Sequence, residues 1–296
     1  MDTVRYLNGT PENIEGLIDE AISVGCNLIF TTSPSFVQAS VKAAIANPEV
    51  RILNCSLNTS HRYIRTYYPR MHEAKFLMGA IAGAMAENNK LVYIADSPIC
   101  GSIANINAFA LGAKMINPRV QVHLKWSAMN EEEMEREIRE IAPSCISGKD
   151  MIIPEEASRL FGIYHIGSSG HVRNLAMPLW HWGQFYEQLI RTIMDGTWKY
   201  DDDSSGTKAI NYWWGMSECV VDVICSQNLP RGTKRLMELL KTAICSELFN
   251  PFSGILFSQE GIAEKDFEQN VLPEKIMNMN WLVENIIGAI PEKEQI

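Results

Sequence analysis

MHEAKFLMGAIAGAMAENNKLVYIA, residues 71–95, reads as one long helix, about Met71–Glu87, returning into a strand at Lys90–Ala95. IANINAFALGAKMI (Ile103–Ile116) and VQVHL (Val120–Leu124) repeat the pair, and Glu131–Ile141 adds a charged amphipathic helix. Strands separated by helices of this length predict βαβ crossovers and a parallel sheet covered on both faces. The apolar core of the first helix, Ala74–Ala86, is too short to span a bilayer, which takes about 20 residues. Gly79 and Gly83 are therefore expected to let that helix pack closely on the sheet rather than on a membrane partner.

The same alternation extends upstream. Val4–Leu7 reads as a strand. Asn8–Pro11 reads as a turn, with Thr10 capping a helix whose Ile14, Leu17, Ile18, Ala21 and Ile22 share one face before Gly25 ends it. Asn27–Thr31 is a short apolar run of the buried parallel-strand kind, Ser35–Ala46 a helix and Val50–Asn54 a strand. Downstream the rhythm loosens. Tyr164–Ile166 and Leu175–Pro178 read as short strands, Gln184–Met194 and Thr233–Ser246 as helices, and Lys199–Lys208 as an exposed acidic loop. Ala209–Val223 holds strand-like apolar pieces, and Pro273–Ile290 is expected to be a capped helix carrying Trp281 against the body.

Composition limits what such a chain does. Of 296 residues 46% are hydrophobic and 21% charged, which excludes a disordered tail and a disulfide miniprotein. A net charge of −9, with the 26 basic residues scattered, argues against a nucleic-acid partner. The seven cysteines are widely spaced with no C-x-x-C pair, so they read as buried thiols rather than as a bridge framework or a zinc site. No transmembrane segment and no basic-then-apolar secretory leader is evident.

Catalytic signatures are missing: there is no G-x-G-x-x-G, Walker A loop, H-E-x-x-H or G-x-S-x-G. Gly167-Ser168-Ser169-Gly170 has the wrong spacing for a nucleophile elbow and reads as a turn. No enzyme activity, cofactor or metal is expected. What stands out is polar and aromatic residues at the carboxyl ends of strands, the edge where open α/β sheets bind ligands. Thr31, Thr32 and Ser33 follow one strand, Asp96 and Ser97 another, and Trp126 and Ser127 a third. Pro178–Tyr186, with Trp180, His181 and Trp182, follows a fourth. Indoles beside His and Gly at a strand-to-helix turn suit stacking on a flat ligand, or else simply fill core.

Three quoted stretches carry a specific resemblance: Glu73–Gly79 (EAKFLMG), Ile94–Pro98 (IADSP) and Asn105–Ala113 (NINAFALGA). With Pro178–Tyr186, Tyr212–Val223, Asn250–Gly254 and Met279–Pro291, they make the chain resemble the basic membrane protein family. Its members are substrate-binding proteins of ABC importers, related to purine-nucleoside receptors. The resemblance implies a type I periplasmic-binding-protein fold, with two α/β lobes and a purine-like small molecule held in the cleft between them. It also implies an ABC permease as partner and an extracytoplasmic, membrane-associated location, lipoproteins being common in the family. The first lobe is expected at about 1–117 and 177–205, the second at about 118–176 and 206–296. By position, Trp126 and the Trp180/His181/Trp182 turn match stacking and polar positions. Asp96 and Asp150 are hydrogen-bond candidates, and Trp214 lines the second lobe or its core.

Three departures qualify the resemblance. The family has a strand and helix before Met1, and in the doubly wound order 2-1-3-4-5 that strand is central, so the first lobe is expected to lack it. Nucleoside-binding members carry an acidic pair where this chain has Ser168-Ser169-Gly170-His171, which favours a bare base over a nucleoside. Pro154–Arg159 makes barely a helix where the family has a full one. A competing reading is a ligand-sensing domain within a larger intracellular protein.

Overall fold

The computed structural model describes residues 3–56, 63–96, 98, 101–150, 161–167, 170–196, 212–264, 271 and 273–291. The expected helix at Pro154–Arg159, the acidic loop at Lys199–Lys208, and Ser97, Ser168 and Ser169 lie outside the described residues. In chain order the first elements are α1 (Ile14–Ser23), β1 (Leu28–Thr31), a 3₁₀ turn (Pro34–Phe36), α2 (Val37–Ala46), β2 (Arg51–Cys55) and β3 (Arg65–Pro69). Then come α3 (Met71–Met85), β4 (Lys90–Ala95), α4 (Ser102–Ile116), β5 (Gln121–Trp126), α5 (Glu131–Ile141) and β6 (Cys145–Ser147). The remainder comprises β7 (Ile163–Ile166), β8 (Val172–Trp180), α6 (Trp182–Met194), β9 (Tyr212–Trp214), β10 (Val221–Cys225) and α7 (Arg231–Cys245). It ends with β11 (Leu256–Ser258), β12 (Gly261–Glu264), α8 (Pro273–Met277) and β13 (Ile286–Ile287).

These elements fall into two compact units, Met1–Pro69 with Thr192–Trp213, and Arg70–Arg191 with Trp214–Ile296. The division lies at 69/70, not at the expected 117/118. The reason is that α3, β4 and α4 belong with the second sheet: β4 is hydrogen-bonded on both sides, to β5 and β6.

The first unit is a four-stranded sheet of order β1-β2-β3-β9, with β1, β2 and β3 parallel. Its core joins Ile14 and Ile18 of α1 to Phe36, Ala39 and Ala43, and to Val50, Ile52 and Ile64. The apolar face expected of α1 is thus the buried one. Its cap differs: Asn13 precedes the first helical residue, and its Oδ1 accepts the Thr10 N–H at 2.7 Å. The expected strand at Val4–Leu7 does not form; Val4 is 52% exposed and Leu7 63%. β1 stands at the end of the sheet, and Val4–Leu7 does not pair with it.

The second unit carries a seven-stranded sheet of order β10-β8-β7-β6-β4-β5-β13. It is mixed rather than wholly parallel. β4, β5, β6 and β13 run parallel, whereas β7 is antiparallel to both β6 and β8, and β10 is antiparallel to β8. A parallel return needs a crossover, usually through a helix. Here Gly148 and Gly162 continue the ladder directly, the Gly148 N–H donating to Gly162 O and the Gly162 N–H to Lys149 O, both at 2.8 Å.

α3 and α4 cross in backbone contact. A Cβ on Gly79 would lie 1.9 Å from Phe109 O, one on Gly112 2.0 Å from Phe76 O, and one on Gly83 2.5 Å from Ala113 O. The glycines expected to admit a sheet instead admit a second helix. The long helix expected over Pro273–Ile290 shrinks to α8. Beyond it Asn107, fully buried on α4, donates Nδ2 to Trp281 O at 2.8 Å and accepts the Val283 N–H at 3.0 Å. The Val122 N–H donates to Asn285 O, and β13 then adds to the sheet edge. Tertiary acceptors and donors thus hold this segment extended.

Gly79→Ala and Gly112→Ala are expected to cost about 1–3 kcal/mol each in chemical denaturation, because backbone rather than a flexible side chain must move. Gly16→Ala on α1 meets nothing within 4 Å and is expected to be neutral or to stabilise by roughly 0.5–1 kcal/mol. Amide exchange is expected to be fast at Val4–Leu7 and slow at Ile52–Asn54; equal protection would mean that the first segment has found a strand partner.

Candidate functional site

Because β8 runs in the same direction as β6, β4 and β5, the carboxyl ends of all four strands reach one edge of the second unit. Five of the sequence-predicted residues fall there: Asp96 after β4, Trp126 closing β5, Asp150 beyond β6, Trp180 closing β8 and His181 just after it. Asp96 is exposed, and its carbonyl accepts from Ser127 Oγ at 3.3 Å.

Asp150 is the anchored group. Lys75 Nζ lies 2.6 Å from each of its carboxylate oxygens and 5.7 Å from the centre of the Tyr93 ring. The Lys75 side chain is 4% exposed and that of Asp150 20%. Burial pulls the lysine toward neutrality, but the Asp150 carboxylate and Tyr93 beside it more than offset this, and its pKa ends above the ordinary value. Burial likewise raises the Tyr93 phenol. The result is a fixed ammonium behind a carboxylate whose outer side stays partly open, a ready acceptor for ligand N–H or O–H groups. Lys75 was legible in one respect: it is the one charged residue between Glu73 and Glu87 in an apolar helix. A lysine buried in such a helix needs an anion.

At the β8–α6 turn the His181 N–H donates to Val220 O and its carbonyl accepts the Phe185 N–H, which fixes the turn. Trp182 stacks on Tyr186 (5.9 Å, 24°) and meets Phe185 edge-on at 5.7 Å; Phe185, buried, also touches Trp214 at 5.0 Å. Trp180, Trp182 and Trp214 are each half-buried. Trp126 is placed differently. It is 9% exposed, and its indole N–H donates at 2.9 Å to Ala289 O, beyond β13 on the far side of β5 from β4. Four strand spacings of about 4.8 Å separate β5 from β8. Trp126 therefore packs toward β13 instead of facing Trp180 across one flat ring.

In the first unit Thr32 is exposed and Ser33 half-buried after β1. Ser33 Oγ accepts the Ser35 N–H at 3.3 Å, and Asn54, buried on β2, donates Nδ2 to Thr31 Oγ1 and Ser33 O, both at 2.8 Å. Asn54 escaped the sequence reading because it closes an apolar strand and looks like ordinary core.

Cys55 and Cys145 are buried as expected, and burial pushes both thiols up to about 12. Cys219 departs from that expectation: it is exposed, on a turn with φ of 59°. Among the described residues no cluster of three or more His, Cys, Asp or Glu is placed to hold a metal, and no helix is long and apolar enough to cross a membrane. Surface concavities along α5 (Asn130 to Arg139) and around Lys114 and Glu284 involve none of the strand-end residues.

His72, buried near the start of α3 against Phe252 (ring centres 5.3 Å), is pulled down to about 3 by burial and by Arg70. An unfolded imidazole protonates near pH 6.5, so the unfolded chain takes up this proton first. Folding stability is expected to fall as pH drops from about 6.5 to 3, by up to about 1.4 kcal/mol per pH unit. Urea denaturation across that range should show His72→Gln losing this part of the slope.

The sequence profile of the family described as ABC transporter substrate-binding protein PnrA-like matches residues 3–154. A purine-binding protein of Brucella abortus (strain 2308) is 26% identical over 292 residues, covering 94% of this chain and 80% of that protein. A protein of Haloferax volcanii named for ABC transporter glucose binding is 23% identical over 297 residues, covering 95% and 70%. Among solved structures, a transcriptional activator of the comK gene from Bacillus halodurans superposes with a TM-score of 0.62 at 14% identity, over 82% of this chain and 87% of that one. A solute-binding protein of an ABC transporter system from Conexibacter woesei gives 0.58 at 12%, over 84% and 86%. At such identities these two likenesses show the fold alone.

Proposed function

The chain belongs to the PnrA-like family of ABC transporter substrate-binding proteins, non-catalytic solute binders with an ABC permease as partner and a type I periplasmic-binding-protein-like α/β fold, and from this premise we propose that its solute is a purine base. The observation that carries the proposal is the Asp150 carboxylate, braced by buried Lys75 at the carboxyl-terminal edge of the seven-stranded sheet. A purine offers ring N–H groups to such an acceptor and a flat face to an indole. The purine-binding relative supports the choice of ligand, and the absence of an acidic pair at Ser168-Ser169 supports a base over a nucleoside. Asp96, Trp180, His181, Trp182 and Trp214 are the accompanying groups of the second unit, and Thr32 and Ser33 those of the first. Trp126 stands behind them as support. In this reading the two compact units are the two lobes, and delivery to the permease takes place on the extracytoplasmic side of the membrane.

Thermal-shift titrations with hypoxanthine, adenine, adenosine and D-glucose test the assignment. A purine base is expected to raise the melting temperature without turnover. Asp150→Asn and Trp180→Ala are expected to weaken binding by about 10-fold or more, the size of one charged hydrogen bond or one stacked ring. Trp126→Ala should chiefly lower the melting temperature. Stabilisation by glucose and by no purine would transfer the assignment to a sugar.

A further inference from the structure

The chain passes between its two compact units three times, at Pro69/Arg70, Arg191/Thr192 and Trp213/Trp214. On the second unit's side all three crossings start from one polar cluster. At the first, the Arg70 N–H donates to Trp214 O at 2.7 Å, which joins the first root to the third through backbone. Arg70 Nη2 donates to Ser217 Oγ at 2.8 Å and to Glu218 Oε2 at 3.0 Å. Its Nε lies 2.7 Å from Glu73 Oε1, close enough for an ion pair though not aligned for a hydrogen bond.

The third root is held by the two carboxylates. Glu218 Oε2 accepts the Gly215 N–H and Glu73 Oε2 accepts the Met216 N–H, both at 2.7 Å. The second root joins through Gln188, one helical turn before Arg191, whose Nε2 donates to Glu218 O at 2.9 Å. The cluster leaves no slack: a Cβ on Gly215 would lie 2.3 Å from Glu73 Oε2 and 2.6 Å from Arg70 Nε. Glu73 is 7% exposed, and the side chains of Arg70 and Glu218 are 20% and 28% exposed. Such charges are retained only when paired, and loss of one partner strands the others.

We infer that Arg70, Glu73 and Glu218 are positioning residues that bind the roots of the three linking segments into one rigid anchor of the second unit. Relative motion of the units is then confined to residues outside the cluster. Loosening the roots populates arrangements that do not grip solute, and apparent affinity falls in proportion to the competent fraction. The consequence for affinity rests on the solute-binding reading; the anchoring itself does not.

The test is therefore run without solute. Donor and acceptor dyes on unnatural amino acids at exposed Gln38 and Glu238, one in each unit, report the inter-unit distance distribution by single-molecule fluorescence. Glu218→Gln keeps size and acceptor but removes the charge, and is expected to broaden the distribution. Lys241→Met breaks a second-unit ion pair outside the cluster, Lys241 Nζ to Asp222 at 2.6 and 2.8 Å. It should lower the melting temperature and leave the distribution unchanged. A folded Glu218→Gln protein with the wild-type distribution overturns the inference. If that variant does not fold, exchange in the wild type decides: the amides of Arg70, Gly215 and Met216 are expected to be among the slowest, and near-peptide rates at them overturn it. Broadening in a protein that binds neither purine nor sugar would refute the purine reading and leave the anchor standing.

Discussion

Two α-helices normally stand 8–10 Å apart, because side chains hold their backbones away from one another. α3 and α4 escape that limit at Gly79, Gly83 and Gly112, where carbonyl oxygens of one helix occupy the space a Cβ would need on the other. Much of the second unit depends on this contact. α4 places Asn107 where it fixes the backbone at Trp281 and Val283, and the segment so fixed completes the sheet as β13. α3 carries Glu73 and Lys75 into the interior, one to the crossing roots and the other to the strand-end edge.

The second unit buries charge in two places, and in both the desolvation cost is offset by close pairing. Lys75 spends its charge on Asp150, which stays partly open at the edge where ligands of open α/β sheets bind. Arg70, Glu73 and Glu218 spend theirs on backbone N–H groups and on one another. An apolar filling of either space is stable in principle. What ions add is direction: a carboxylate held at a chosen point toward solvent, or backbone held at a chosen point where it leaves the unit.

The buried thiols are held protonated by their surroundings, and His72 is held neutral. In a family that recognises a solute and passes it on, selectivity comes from the placing of a few polar groups and aromatic faces.

Periodicity alone determined the elements whose partners are local. α5 and β4 lie at the expected residues, and α3, α4 and α7 within two residues of them, because the 3.6 and 2.0 repeats are written in the residues themselves. The family was legible for the same reason, through short motifs within single helices and turns. Tertiary structure decided what depends on a distant neighbour. Val4–Leu7 joined no sheet, β7 reversed direction, and Pro273–Ile290 unwound beyond α8 onto Asn107 and β5. At the site, strand ends could be read in advance. The pairing of Lys75 with Asp150 and the turning of Trp126 toward Ala289 could not, since each joins residues far apart in sequence. A repeat records which face of an element is apolar, whereas a hydrogen bond or ion pair between distant segments exists only once the chain has closed around it.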